Sequence, residues 1–322
     1  MKIVIVTPAK VTSRTGNRNT ALRWAGFLRE LGHRVRVQTE WDGGPADLML
    51  ALHARKSHAS IRRFRDAFPG RALVLALTGT DLYRDIRTDP DAQWSMQVAH
   101  RMIVLQDMGL KELSPALRRK TRVIYQSAPA CPRLPPLRRS FEVCVIGHLR
   151  EEKDPFRAAL ALDRLPPSSR IRVTQLGRAL DARSEHEARA LMARNSGYVW
   201  LGEVPHGRVR QVLARSRAMV ISSRMEGGAN VVCEALAAGV PVIASRIPGN
   251  VGMLGRDYAG YYPLEDTAAL ARLMIRAETD PRFLARLAAQ CRARRSLVAP
   301  AREKAGLAAL LRELFPIPAG AR

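Results

Sequence analysis

The sequence predicts an α/β protein built from two Rossmann-like, doubly wound parallel-sheet domains facing each other across a cleft. Three observations indicate this class. Short apolar runs alternate with amphipathic segments in both halves of the chain, as in repeated βα units whose sheet is covered on both faces. A proline-rich stretch separates the two halves. The length of 322 residues suits two domains that each bury a core.

The first half contains six apolar runs with the length of strands. They are Ile3–Thr7, Val35–Thr39, Leu48–Leu52, Ala72–Leu77, Met102–Leu105 and Val123–Tyr125. The segment from Thr20 to Leu31 has apolar residues at helical spacing and stops at Gly32, a common helix end. Helices fit between most of the other strands. We therefore predict an N-terminal Rossmann-like domain over residues 1–127.

A linker and a second α/β series follow. Four prolines between Ala128 and Leu137 exclude a helix or a central strand, so residues 128–140 are predicted to form a semi-rigid linker. The second domain is predicted over residues 141–300 and a helix over residues 301–322. Its strands are Phe141–Gly147, Ile171–Leu176, Val199–Trp200, Met219–Ser222 and Val242–Ala244. Open parallel sheets bind ligands at the carboxyl ends of their strands, which here would face the cleft.

Several classes of protein are disfavoured. No apolar run approaches the roughly 18 residues of a membrane span, and the short N-terminal apolar run predicts a strand rather than a signal peptide, so we expect a cytoplasmic protein. The four cysteines form no C-x-x-C pair, which disfavours zinc and disulfides. Asp89-Pro-Asp91 has the D-x-D form but lies in a proline-bearing loop, so we predict no metal. Glycine-rich dinucleotide and Walker motifs are absent.

The net charge of +24 raises the alternative of a nucleic-acid-binding protein. However, 46 of the 53 basic residues are arginines spread along the whole chain, and aromatic residues make up only 5%, which is poor for stacking on bases. A compositional bias towards arginine explains the charge better. The positive electrostatic potential of the chain would still attract a small anionic substrate.

The most informative segment runs from Glu226 through Gly-Gly-Ala-Asn-Val-Val-Cys to Glu234. It follows the apolar strand Ala218–Ser222, turns on two glycines and opens a helix near Ala229. Backbone N–H groups and the helix dipole then point at one spot, where an anion such as phosphate fits. Two carboxylates beside such a site can accept hydrogen bonds from the hydroxyl groups of a sugar or a ribose. The alternative is an ordinary βαβ unit with solvated glutamates.

The same segment continues as Ala-Leu-Ala-Ala-Gly-Val-Pro-Val and resembles the donor-site signature of retaining, nucleotide-sugar-dependent glycosyltransferases of the GT-B fold (family 4). The resemblance implies that Glu234 binds the ribose hydroxyls and that Glu226 lies near the donor sugar. It also implies that a set of backbone groups contacts the diphosphate. These belong to Gly227, Gly228, Ala229, Asn230 and Val231.

A second segment, Gly147-His-Leu-Arg-Glu-Glu-Lys153-Asp, resembles the Gly-Arg-Leu-x-x-x-Lys-Gly motif of the same family. There an Arg and a Lys neutralise the leaving diphosphate. Lys153 takes the Lys position, but His148 stands where the family has Arg, and Arg150 is the alternative cation. A neutral His donates one hydrogen bond without a fixed charge. The alternative is a loop of exposed charges.

The acceptor site is predicted in the first domain. Gly16 retains one glycine of the family's Gly-Gly loop, whose backbone approaches the donor phosphate and the acceptor. Thr80 and Asp81 follow a strand end where the family often places acceptor contacts, and the alternative is a capped turn. His53 and Lys56 follow another strand end, where a solvated helix start is the alternative. The predicted acceptor-binding residues are Arg14, Thr15, Asn17, Arg18, His53, Lys56, Thr80 and Asp81.

Four blocks extend the resemblance over most of the chain: Thr-Pro-Ala near the N-terminus, Leu-His-Ala-Arg-Lys-Ser, Leu-Thr-Gly-Thr-Asp-Leu-Tyr-Arg-Asp and Arg-Met-Glu-Gly-Gly-Ala-Asn-Val. Together they are similar to the selenosugar synthases of selenoneine biosynthesis. The resemblance implies that a sugar is transferred from a UDP-sugar to selenophosphate, with UDP-N-acetylglucosamine as the expected donor. The products would be a 1-selenosugar, UDP and phosphate, and no cofactor would be needed. A hydroxyl acceptor and a sugar-nucleotide epimerase of the same architecture remain as alternatives.

Overall fold

The computed structural model describes residues 1–9 and 16–316, and the chain divides into two compact units. The first unit comprises Met1–Ser127 together with Pro300–Arg322, and the second comprises Ala128–Ala299.

The first unit has one parallel six-stranded sheet in the order β2-β1-β3-β4-β5-β6. The strands are β1 Lys2–Val6, β2 Arg34–Gln38, β3 Leu48–Leu52, β4 Ala72–Leu77, β5 Arg101–Val104 and β6 Thr121–Val123. The helices are α1 Gly16–Glu30, α2 His58–Ala67, α3 Ile86–Thr88, α4 Pro90–Val98 and α5 Pro115–Arg119. The five residues of β3 are buried, with Met49 and Ala51 in one core and Leu48, Leu50 and Leu52 in the other, because successive side chains of a strand point to opposite faces.

The second unit has a parallel six-stranded sheet in the order β12-β11-β10-β7-β8-β9. Its strands are β7 Phe141–Ile146, β8 Ile171–Leu176, β9 Tyr198–Trp200, β10 Ala218–Ile221, β11 Val242–Ser245 and β12 Tyr261–Tyr262. Its helices are α6 Arg157–Leu162, α7 Ala182–Arg194, α8 His206–Arg215, α9 Asn230–Ala238, α10 Pro248–Leu254, α11 Thr267–Thr279 and α12 Pro281–Arg294. Read from β9, this is the Rossmann strand order.

The helix α13, Pro300–Leu314, packs against α1 of the first unit through a buried carboxylate. Glu303 is 1% exposed. It accepts hydrogen bonds from Arg23 Nε at 2.7 Å, Trp24 Nε1 at 2.6 Å and the backbone N–H of Ser127 at 2.8 Å. One carboxylate thus joins α13, α1 and the last residue of the unit's first segment.

The predicted fold class is confirmed, since each unit carries a Rossmann-like parallel sheet. The predicted strands form within two residues of their expected bounds, because apolar runs ending at loops define them well. The two-residue strand β12 was not predicted, since it is too short to show a periodicity. Asp89 accepts from the backbone N–H of Ala92 at 2.8 Å and caps α4. None of the described helices is both long and apolar enough to cross a membrane.

Candidate active site

The order of the second sheet brings together two segments that are 73 residues apart in the chain. Strands β7 and β10 are neighbours, and the sheet's chain order reverses between them. Such a switch point is where ligands bind outside the carboxyl ends of parallel strands. The segment after β7 carries Lys153, and the segment after β10 carries Glu226.

Lys153 and Glu226 form an ion pair between Nζ and Oε1. The side chain of Glu226 is 8% exposed and that of Lys153 22%. Ser223 donates from its Oγ to the same Oε1 at 2.6 Å. Ser245 Oγ donates to the carbonyl of Ser223 at 2.7 Å, and Asn250 Nδ2 donates to the carbonyl of Ser245 at 2.9 Å. The carboxylate of Glu226 is therefore supported by a buried chain of hydrogen bonds that fixes its position.

The turn that carries Lys153 is fastened to the end of β10. Ser222 Oγ donates to the carbonyl of Asp154 at 2.7 Å. Arg224 NH1 pairs with the carboxylate of Glu151 at 2.9 Å. Asp154 adopts a left-handed φ of 44°, which is strained for a residue with a side chain. These contacts hold the lysine on the segment that also holds Glu226.

The helix α9 opens directly after the glycine turn of residues 227–229. Its N-cap residue is Ala229, whose side chain offers no hydrogen bond to the first turn. The first N–H groups of a helix have no partner within that helix, and they suit an anion together with the helix dipole. The turn is buried. The predicted diphosphate contacts of residues 227–231 therefore lie at a helix start whose N-cap side chain makes no capping hydrogen bond.

Glu234 lies one helical turn beyond Asn230 on α9, and its side chain is 21% exposed. Its Oε1 lies 3.1 Å from Nε2 of His206, the first residue of α8. The second predicted carboxylate of the donor motif is thus accessible, and a side chain from the neighbouring helix contacts it.

The two candidates for the second cation near Lys153 have different surroundings. Nδ1 of His148 accepts a hydrogen bond from the backbone N–H of Arg178 at 3.1 Å. A ring nitrogen that accepts carries no proton, so this imidazole is neutral and acts as a donor only through Nε2. Arg150 is exposed at the start of the turn. Arg150 therefore supplies the fixed charge at this end of the loop, while its contact with a ligand stays a prediction.

In the first unit, His53 and Thr80 meet at the carboxyl ends of β3 and β4. His53 has a left-handed φ of 77° and is 2% exposed. Its Nδ1 accepts from the backbone N–H of Lys56 at 3.3 Å, and its Nε2 lies 3.1 Å from Thr80 Oγ1. Because Nδ1 accepts, Nε2 carries the proton and donates to the Thr80 hydroxyl. The predicted acceptor residues His53, Lys56 and Thr80 are thus brought together.

Asp81 has a different place from the one predicted. It is fully buried, and its carboxylate accepts from the backbone N–H groups of Ala54 at 3.0 Å, Thr78 at 2.9 Å and Gly79 at 2.9 Å. It therefore holds the loops after β3 and β4 together and offers no surface to a ligand in this structure.

Three more of the predicted residues lie at the start of α1. Gly16 is the first residue of this helix, with Asn17 and Arg18 in its first turn. The Nε and NH1 atoms of Arg18 are buried without a hydrogen-bond partner among the described residues. Arg14 and Thr15 lie outside the described residues.

The second unit is similar in sequence to a known family of proteins. Residues 135–294 match the family of glycosyl transferases group 1. This match covers most of the second unit. The chain is 24% identical over 322 residues to "Glycosyltransferase 1 domain-containing protein 1" of Xenopus tropicalis, covering 88% of this chain and 90% of that protein.

Two solved structures show the fold of the whole chain. Anabaena HepE, in complex with UDP and glucose, has a TM-score of 0.79 at 16% identity and covers 97% of this chain and 100% of its own. Sucrose-phosphate synthase from Thermosynechococcus elongatus has a TM-score of 0.78 at 18% identity and covers 98% of this chain and 99% of its own. These likenesses show the GT-B fold predicted from the sequence.

Sequence reasoning missed several residues of the second unit. Ser222 and Ser223 directly follow a strand, which is a local signal that could have found them. His206 and Gly249 contact the donor motif from segments on other elements. No local pattern connects these two residues to it.

We expect Gly249→Ala to disturb the donor loop. A Cβ at Gly249 would lie 1.9 Å from the carbonyl oxygen of Glu226, so the backbone must shift at a cost of about 1–3 kcal/mol. Affinity for UDP, measured by titration calorimetry, should fall about tenfold, the equivalent of about 1.4 kcal/mol. The matched control is Gly26→Ala in α1, where a Cβ meets nothing within 4 Å; equal UDP affinity in the two variants would contradict this account of the loop.

A second expectation concerns pH and the first unit. Burial lowers the pKa of His53, although the neighbouring Asp81 acts in the opposite direction. As pH falls below about 6.5, the unfolded chain binds a proton that the folded chain does not, so stability falls by up to about 1.4 kcal/mol per pH unit. His53→Asn, which tolerates the left-handed φ, should lose less unfolding free energy between about pH 7 and pH 5 in urea titrations. An unchanged pH dependence would contradict the prediction.

Proposed function

We propose that this protein transfers a sugar from a UDP-sugar donor bound by the second unit. The observation that carries the proposal is the Lys153–Glu226 pair at the switch point of the sheet, on the segments that follow β7 and β10 and lead into the start of α9. This arrangement offers a cation, backbone donors and a carboxylate to one ligand. The fold relative HepE has been solved in complex with UDP and glucose and in complex with UDP-glucose, which supports the choice of a UDP-sugar.

In this mechanism the bond between the anomeric carbon and the diphosphate oxygen breaks, and negative charge develops on the departing UDP. Lys153 and the N–H groups of residues 227–231 stabilise that charge where it forms. Arg150 adds a fixed positive charge and His148 a neutral donor. Before the donor binds, Glu226 keeps the lysine ammonium in place and is itself held by Ser223, so that little reorganisation is needed.

Glu234 accepts hydrogen bonds from the ribose hydroxyls, and Glu226 accepts one from the donor sugar. A carboxylate that forms a charge-assisted hydrogen bond contributes about 1.5–3 kcal/mol. The two glutamates then fix the two ends of the donor, with the diphosphate between them. The protein residues and the helix dipole supply the positive potential, and the proposal requires no metal.

We further propose selenophosphate as the acceptor and UDP-N-acetylglucosamine as the donor. Selenium attacks the anomeric carbon as UDP leaves, and water then cleaves the P–Se bond to give phosphate and the 1-selenosugar. An acceptor that is already ionised needs positive charge more than a general base. This fits the first unit, where the imidazole of His53 is buried and Lys56 and Arg55 are exposed nearby. The similarity of the four sequence blocks to selenosugar synthases supports this choice.

Mass spectrometry of the products tests the proposal. The purified protein is incubated anaerobically with UDP-N-acetylglucosamine, with and without selenophosphate, beside a Glu234→Ala control. UDP release together with a hexosamine bearing the selenium isotope pattern is the expected result. If UDP is released with a hydroxyl acceptor but not with selenophosphate, the proposed acceptor is wrong, while the proposed transfer from a UDP-sugar stands. An unchanged donor with every acceptor would overturn the proposed function.

A further inference from the structure

His206 contacts the proposed ribose-binding carboxylate from a neighbouring element. It is the first residue of α8, directly after Pro205. Its Nε2 lies 3.1 Å from Oε1 of Glu234 on α9. The side chain of His206 is 60% exposed and that of Glu234 21%, so both lie at the accessible rim of the donor site.

The direction of this hydrogen bond follows from chemistry. An ionised carboxylate only accepts, so Nε2–H of His206 is the donor. The imidazole thereby occupies Oε1. The other oxygen of Glu234, Oε2, accepts no hydrogen bond from the residues that the structure describes. One oxygen is held by the protein and the other is open to a hydroxyl.

We propose that His206 is a positioning residue for the donor, which holds Glu234 so that Oε2 meets the ribose hydroxyls. His206 thereby sets the preference for ribonucleotides over 2′-deoxyribonucleotides. This inference rests on the proposed function, because it assumes that Glu234 binds the ribose. A glutamate side chain that is already held loses less rotamer freedom when the nucleotide binds, so loss of the histidine should weaken UDP binding about three- to tenfold.

A purely structural role would give a different result. Exposed ion pairs contribute little to stability, so His206→Ala should leave the melting temperature unchanged. In its contact with Glu234, the ring lies against one oxygen of the carboxylate. Its removal should therefore lower the affinity for UDP more than the affinity for 2′-deoxy-UDP.

The experiment measures dissociation constants for UDP and 2′-deoxy-UDP by titration calorimetry. It compares the wild type with His206→Ala, His206→Gln and Glu234→Ala. A Gln amide also donates an N–H, so His206→Gln should restore most of the discrimination that His206→Ala loses. The matched control is His186→Ala, which removes another histidine from a helix of the same unit and should bind both nucleotides like the wild type.

The outcomes separate the inference from the proposed function. If Glu234→Ala weakens UDP binding while His206→Ala matches the wild type for both nucleotides, the role of His206 is overturned and the donor site stands. An equal loss for both nucleotides in His206→Ala would also overturn it, since the ring would then act away from the 2′-hydroxyl. If Glu234→Ala binds UDP normally, the ribose assignment and the inference fail together.

Discussion

Lys153→Ala is expected to lower kcat by about 10²–10³-fold, the effect of removing one preorganised donor to a developing anion. The lysine lies at the switch point of the sheet, and its ammonium is held by Glu226 and by the turn fastened to β10. The charge on UDP develops only as the bond breaks. The variant should therefore lower kcat by a larger factor than it raises KM. Initial rates over a range of UDP-sugar concentrations measure both.

The variant Lys153→Arg keeps the charge and should retain more activity than Lys153→Ala, though Arg differs in shape. Lys120→Ala removes a lysine of the first unit, whose ammonium binds backbone carbonyls, and controls for loss of one positive charge. Melting curves of all variants show whether the second unit still folds. A Lys153→Ala variant with wild-type kcat would remove the lysine from the mechanism.

The largest loss of stability is expected for Glu303→Ala. Its carboxylate accepts from Arg23, Trp24 and both the backbone and the hydroxyl of Ser127. Removing it takes away the acceptor of the buried donors of Trp24 and Ser127 and one partner of the half-buried Arg23, which costs about 3–5 kcal/mol of unfolding free energy. Urea titrations of the purified protein measure the loss.

A second carboxylate on the same helix provides the control. Glu313 also pairs with two arginines, Arg101 and Arg122, but its side chain is 33% exposed. Exposed pairs contribute roughly 0–1 kcal/mol, so Glu313→Ala should be mild. If the two variants lose the same unfolding free energy, then burial of Glu303 does not fasten α13 to the first unit.

The parts of the fold and site that could be predicted are those with a contiguous signal. Strands such as Leu48–Leu52 are uninterrupted apolar runs, and they form where expected. The donor motif from Glu226 to Glu234 is continuous in sequence, so its turn and helix were expected. The approach of Lys153 to Glu226 also follows from a general rule, because parallel strands bring their carboxyl ends to one edge.

Other features depend on packing that a sequence does not display. Gly249 matters because its Cα abuts the backbone of Glu226, and the helix α10 that carries it has no donor-site pattern. His206 reaches Glu234 from 28 residues away through the packing of α8 on α9. Asp81 resembled a ligand-binding residue at a strand end, yet the adjoining loops close over it and take up its carboxylate.

Calorimetric titration of UDP into the wild-type protein and Glu234→Ala tests the donor site most directly, because it depends on neither the sugar nor the acceptor. UDP should bind to the wild type and saturate it. The affinity for UDP should be about 10–150-fold lower in Glu234→Ala, as expected for the loss of a charge-assisted hydrogen bond. No binding of UDP to the wild type, or the same affinity in both proteins, would contradict a donor site built around the Glu226–Glu234 segment.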